Sequence, residues 1–84
     1  MNYTVVITRH AQRSLAALPA EVRQRIYPAL LALESDPRPP GCKKLSDSGG
    51  WRIRIGRYRA LYAIDDVTRT VVVYEVGHRR EVYR

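Results

Sequence analysis

The feature that most constrains the fold is a change of period along the chain. Over residues 11–33 apolar side chains recur every three or four positions; from residue 51 onward they recur every two. A helix turns every 3.6 residues and a strand sends successive side chains to opposite faces, so helices must come first and a sheet after them. Ahead of the helices, Tyr3-Thr4-Val5-Val6-Ile7 is β-branched and reads as one more strand, with Thr8 placed to cap the helix that follows. Ala11, Leu15 and Leu18 line the first helix. Pro19 ends it and opens a second, whose stripe is Val22, Ile26, Ala29, Leu30 and Leu33. Pro28 falls inside that stripe and removes one backbone donor, so a kink is expected there.

Asp36-Pro37-Arg38-Pro39-Pro40-Gly41 is a stiff connector. Beyond it, Trp51-Arg52-Ile53-Arg54-Ile55 alternates strictly and Gly56-Arg57 fits a two-residue hairpin turn. Tyr58 to Ile64 reads as the next strand, Asp65 to Arg69 as a loop and Thr70 to Val76 as a third strand ended by Gly77. The expected fold is α+β, one domain over residues 1–84. It has an N-terminal strand, a helical hairpin and an antiparallel three-stranded meander, with the helices packed on one sheet face. One residue follows Tyr83, and no C-terminal helix is expected.

Charge narrows the partners. Lys and Arg number 15 against 8 acidic residues, a net +7, and thirteen of the fifteen are Arg. Guanidinium groups grip phosphate bidentately and stack on bases, so a polyanion is the expected partner: nucleic acid or an acidic protein. Cys42 is the single cysteine, which fits a reducing compartment. No apolar run approaches a membrane span, and Met1-Asn2-Tyr3 lacks a signal-peptide layout, so a cytoplasmic location is expected.

The turn fixes a register. With Gly56-Arg57 as the loop, Ile55 faces Tyr58 and Arg54 stands opposite Arg59, with Arg52 on the same face. Trp51, Ile53, Ile55, Tyr58, Ala60, Tyr62 and Ile64 fall on the other face, toward the helices. An even register in the second hairpin would add Val72, Tyr74 and Val76 to that core. It would leave Leu61, Val71, Val73 and Glu75 beside the arginines, an apolar patch next to a basic one. Opposed like charges destabilise a sheet by up to ~1 kcal/mol per pair, so stability alone gives no reason for Arg54 against Arg59, whereas a bound phosphate does. Asp65-Asp66 sits at a hairpin tip with no third ligand nearby and reads as a turn former, so no metal or cofactor is expected. His10, at a helix start, is expected simply at the surface.

Three stretches resemble the RelE/ParE toxin superfamily. They are Lys43-Lys44-Leu45, then Trp51-Arg52-Ile53-Arg54-Ile55-Gly56-Arg57-Tyr58-Arg59-Ala60-Leu61-Tyr62, then Val76-Gly77-His78-Arg79-Arg80-Glu81-Val82-Tyr83. The resemblance implies a toxin silenced by a cognate acidic antitoxin. RelE-type members cut messenger RNA in the ribosomal A site; ParE-type members poison DNA gyrase without the nuclease residues. The positions that carry RelE-type catalysis are matched by Arg52 and Arg54, then Arg59, Arg79 and Tyr83. On that basis Arg54, Arg59, Arg79 and Tyr83 are the candidate catalytic set, and Lys43, Lys44, Arg52, Arg57 and Arg80 the surrounding RNA contacts. Where some relatives have Lys at the positions of Arg52 and Arg54, arginine keeps its proton, so its contribution here is electrostatic.

The implied reaction is metal-independent cleavage by attack of a 2′-hydroxyl on the neighbouring phosphate, with Tyr83 as candidate general base and His78 as the alternative. In a regular strand His78 points toward the helices. The rival functions are a gyrase inhibitor without nuclease activity and a non-catalytic RNA- or ribosome-binding module; the combination of Arg59, Arg79 and Tyr83 argues against both.

Overall fold

The computed structural model describes residues 2–46 and 49–82. It opens with strand β1 (Thr4–Ile7), helix α1 (Arg9–Ala16) and helix α2 (Ala20–Leu31), which tightens into a 3₁₀ turn over Ala32–Glu34. After the connector come β2 (Lys43–Lys44), β3 (Trp51–Ile55), β4 (Tyr58–Asp65), β5 (Thr70–His78) and a single turn of helix, α3 (Arg79–Val82). Thr8 caps α1 as its position suggests, its Oγ1 accepting from the Ala11 amide at 3.2 Å. Pro19 is the N-cap of α2, and α2 is one helix that continues through Pro28.

The sheet has five strands in the order β1-β5-β4-β3-β2. The expected meander is its centre, with Ile55↔Tyr58 and Arg54↔Arg59 in the register that the turn requires. Gly56 takes φ +61° and Arg57 does not join it in the left-handed region, the pattern of a type II′ hairpin turn, which asks for glycine at its first central position. Two pairings lie outside the sequence pattern. β1 runs parallel along β5 (Val5↔Val71), and the two lysines of β2 pair with Trp51 and Arg52. Two expectations at the end of the chain are corrected: Gly77 does not end the last strand, because it and His78 still pair with Arg59 and Tyr58, and a turn of helix, α3, follows where none is expected.

A bulge in β5 corrects the expected face of three valines. Glu75 pairs with Leu61 but Val73 pairs with Tyr62, so Tyr74 is an extra residue on β5. One inserted residue reverses side-chain parity on one side of the bulge. Val76 keeps its core position, while Val71 and Val73 turn to the helices and are fully buried and Val72 moves to the arginine side. The core is therefore Ala11 and Leu15 of α1, Ile26 and Leu30 of α2, Leu33, and the inward row Ile53, Ala60, Tyr62, Val71, Val73 and Val76. Val72 and Tyr74, expected in this core, are only half-buried.

The connector is held to the sheet by polar contacts that join distant parts of the chain. The Tyr62 hydroxyl, fully buried, donates to the Pro37 carbonyl at 2.8 Å. Burial pushes that phenol well above its ordinary range. Tyr62→Phe keeps the ring and strands the carbonyl, so it should lower unfolding stability by about 1–3 kcal/mol in a denaturant titration.

Nearby, Arg38 lies over the Trp51 ring at 5.1 Å and pairs with Asp66 at 2.9 Å, while the Tyr3 hydroxyl donates to Asp66 at 2.6 Å. The hydrogen bond from Arg38, and then that from Tyr3, holds the Asp66 carboxyl below its usual value. A depressed carboxyl stabilises the fold above the ordinary carboxylate range and loses that contribution as pH falls through its folded value. Asp66→Asn should accordingly have a lower urea midpoint than the unmodified protein at neutral pH, and the gap should close in acid.

Candidate nucleic-acid interface

Strand parity assembles the side of the sheet away from α1 and α2 in rows. One row is Gly77, Arg59 and Arg54 across β5, β4 and β3; the next is Glu75, Leu61, Arg52 and Lys43, reaching β2. Arg54 is exposed, Arg59 half-buried and Arg52 buried, 9 % exposed. Nη1 of Arg52 and Nε of Arg59 are both shielded from solvent, so part of each guanidinium works at lower dielectric than a surface arginine does. Gly77, opposite Arg59 at the end of its row, contributes no side chain and is itself buried.

Leu61 is buried in this layer. The apolar company expected from Val71 and Val73 comes instead from Val72, half-buried, and its parallel partner Val6, 44 % exposed.

A second cluster closes the end of this face. α3 starts where β5 stops, and the Arg79 amide donates to the Arg57 carbonyl at 2.9 Å, tying the helix start to the β3–β4 turn. Arg57, His78, Arg79 and Arg80 then line a cleft of about 330 Å³. Three guanidinium groups around one polar cleft present the charge and the forked donors that suit a phosphate.

His78 keeps the direction that regular pairing demands. It sits opposite Tyr58, rings edge to face with centroids 5.5 Å apart, on the helix side of the sheet. Its Nδ1 accepts the Arg80 amide at 3.2 Å. A nitrogen that accepts an amide of α3 is not presenting its lone pair to a substrate, so His78 reads as the cap of that turn.

Asp65 and Asp66 are occupied as the turn reading requires: Asp65 Oδ1 accepts the amides of Val67 and Thr68, and Asp66 holds Arg38 and Tyr3. Among the described residues no group of three or more His, Cys, Asp or Glu is arranged to hold a metal ion, and no helix is long and apolar enough to cross a membrane.

The structure thus divides the candidate residues. Lys43, Arg52, Arg54 and Arg59 share the sheet face, and Arg57, His78, Arg79 and Arg80 share the cleft at its end. Lys44, exposed, pairs with Trp51, one position off that row. Tyr83 lies outside the described residues. One feature has no counterpart in the sequence reading: His10, at the first turn of α1, places Nε2 2.7 Å from Oε1 of Glu75. The two residues are 65 positions apart, so no local spacing announces them.

Similarity to known proteins covers almost the whole chain. Residues 5–83 match the family model for the ParE toxin of the type II toxin–antitoxin system parDE. The chain is 37 % identical over 86 aligned positions to toxin RelG of Mycobacterium tuberculosis, spanning 100 % of this chain and 99 % of that one. Among solved structures it resembles a chain of a RelBE toxin–antitoxin complex of the same organism, with a TM-score of 0.84, 35 % identity, and coverage of 94 % of this chain and 100 % of that one. It also resembles a chain of the archaeal RelE–RelB complex of Pyrococcus horikoshii, with a TM-score of 0.84, 25 % identity, and coverage of 96 % and 99 %.

Proposed function

Because this chain belongs to the RelE/ParE family of toxins of type II toxin–antitoxin systems, we propose that it is a ribosome-dependent endoribonuclease, a single toxin domain over residues 1–84 that cuts messenger RNA in the cytoplasm. The observation that carries this reading is Arg54 directly opposite Arg59 on the sheet face away from α1 and α2, with Arg79 at the start of α3 beyond the end of β5. A pentavalent phosphorane bears more negative charge than the phosphodiester it forms from. Preorganised guanidinium groups therefore bind the transition state more strongly than the ground state.

Arg54, Arg59 and Arg79 form the phosphate clamp in this proposal. Lys43, Lys44, Arg52, Arg57 and Arg80 hold the flanking backbone, and the Tyr83 phenol is the general base. The 2′-hydroxyl attacks the neighbouring phosphorus and the bond to the 5′-oxygen breaks, leaving a cyclic phosphate and a 5′-hydroxyl. The chemistry calls on no metal or cofactor.

The same surface suits an inhibitor. The basic face, with Val72 and Val6 beside it, matches an acidic, partly disordered antitoxin that folds as it binds. Gyrase inhibition is the second reading, favoured by the match of the ParE toxin model to residues 5–83.

Ribosome dependence separates a message-cutting enzyme from a general ribonuclease. Purified protein should cut a message that ribosomes are translating and leave the same RNA whole when it is naked. Efficient, saturable cleavage of naked RNA at the same sites would contradict the ribosomal part of the proposal.

A further inference from the structure

We infer that a cleft on the helix side of the β3–β4 turn binds one unstacked RNA base, while the arginine cleft beside it holds that nucleotide's phosphate. The inference rests on the ribonuclease reading above and gives the RNA a second foothold, away from the sheet face. The cleft measures about 310 Å³ and is lined by Val22, Arg25 and Ile26 of α2 and by Ile55 to Tyr58 of the hairpin. That is the small end of the ~300–1,000 Å³ of ligand pockets, a size for one flat ring system and not for a docked helix.

The cleft exists because α2 covers the closed end of the hairpin incompletely. Ile55 and Tyr58 pair across the turn and face the helices. Ile26 is fully buried beneath them, but Ile55, Tyr58 and Val22 are only half-buried. Arg25, exposed, reaches across at Gly56: its Nη1 lies 3.7 Å from the point that a Cβ on that glycine would occupy. An apolar floor with a planar guanidinium at its rim suits a base, which can rest its ring on the floor and stack on the arginine.

Two contacts join this cleft to its neighbour. The Tyr58 ring meets His78 edge to face, centroids 5.5 Å apart, and His78 lines the cleft of Arg57, Arg79 and Arg80. Arg57 lines both clefts, and its carbonyl accepts the Arg79 amide at 2.9 Å, which fixes one against the other. An apolar cleft and a guanidinium cleft that share a residue match the two ends of a nucleotide, a flat ring and a phosphate.

Positive charge alone would also suit an acidic peptide, but the position favours RNA. A peptide that adds to a sheet pairs its main chain along a strand edge. This cleft lies over the face of the hairpin, where Ile55 and Tyr58 are already paired with each other. The adjoining surface of α2 also carries Glu21 beside Val22 and Arg25. A carboxylate there repels an acidic chain running on along the helix and does not oppose a neutral base.

The test compares the affinity of the purified protein for two probes, with thermal melts of every variant. One probe is a single-stranded RNA pentamer; the other is a ribose-phosphate pentamer of the same length and charge without bases. The unmodified protein should bind the RNA ~10-fold or more tightly, the scale of one stacked base. Val22→Phe fills the cleft and Arg25→Ala removes its rim, and each should bring RNA affinity down toward that of the abasic probe. Arg25 is exposed and outside the core, so Arg25→Ala decides if Val22→Phe lowers the melting temperature. Arg80→Ala should weaken both probes by the same factor and make the salt dependence of each shallower by about 0.7 in log–log slope, one phosphate contact. Equal binding of the two probes by the unmodified protein overturns the base pocket, as does a preference for bases that survives both Val22→Phe and Arg25→Ala. A glutamate decapeptide that binds with the same dependence on Val22 and Arg25 overturns the RNA assignment in favour of an acidic protein. An unmodified protein that cuts no translated message overturns the ribonuclease reading instead, whichever probe it prefers.

Discussion

Arg59→Ala and Arg79→Ala should each reduce cleavage of a translated message by about 100-fold or more, the scale of losing one preorganised charge donor from a transition state. The expectation is unequal in kind at the two positions. Arg59 projects from the middle of β4, half-buried, with its Nε shielded from solvent, so its guanidinium acts where water screens it least. Arg79 is exposed at the start of α3 and shares its cleft with Arg57 and Arg80. Neighbouring cations can take over part of its task, and Arg59→Ala is therefore expected to be the more severe. Arg59→Lys keeps the charge and loses the planar fork, and should fall between the two. Neither alanine variant touches the apolar core, so melting temperatures should stay close to that of the unmodified protein. Normal cleavage by both variants would place the phosphate elsewhere.

Tyr83→Phe is the second large effect. The substitution keeps an aromatic ring of almost the same size and removes only the oxygen. If residue 83 merely packs against the sheet, phenylalanine serves equally well and cleavage is unchanged. The proposal gives the hydroxyl a proton to carry, and loss of a positioned proton carrier costs ~100-fold or more. The variant should fold, bind ribosomes and antitoxin as the unmodified protein does, and cut slowly at every pH. Antitoxin affinity is the internal control, because it depends on the basic and apolar surface and not on the phenol.

The site was legible in the sequence where a local rule fixed it. Gly56-Arg57 left one sensible hairpin register, and from it followed Arg54 against Arg59 and the inward row from Trp51 to Ile64. Three valines in a row defeated the same reasoning in β5. With Val71, Val72 and Val73 adjacent, either parity buries a valine, so the sequence carries no sign that Tyr74 is inserted. β2 was invisible because two exposed lysines have no strand pattern; their pairing comes from β3, across a loop. The contacts that tie the molecule together are all long-range. Tyr62 to Pro37, Arg38 to Asp66 and Tyr3 to Asp66 depend on the fold bringing the partners together. The same holds for His10, which by position is only a helix-start residue until β5 brings Glu75 to it.

Ribonuclease and gyrase poison predict opposite fates for a message, so one experiment divides them. A defined message is translated with and without the purified protein and its 5′ ends are mapped by primer extension, while DNA gyrase supercoils a plasmid beside it at the same protein concentration. The account predicts new, discrete ends within the translated reading frame, dependent on ribosomes and weakened in Arg59→Ala, with supercoiling undisturbed. Intact messages together with arrested gyrase would contradict it.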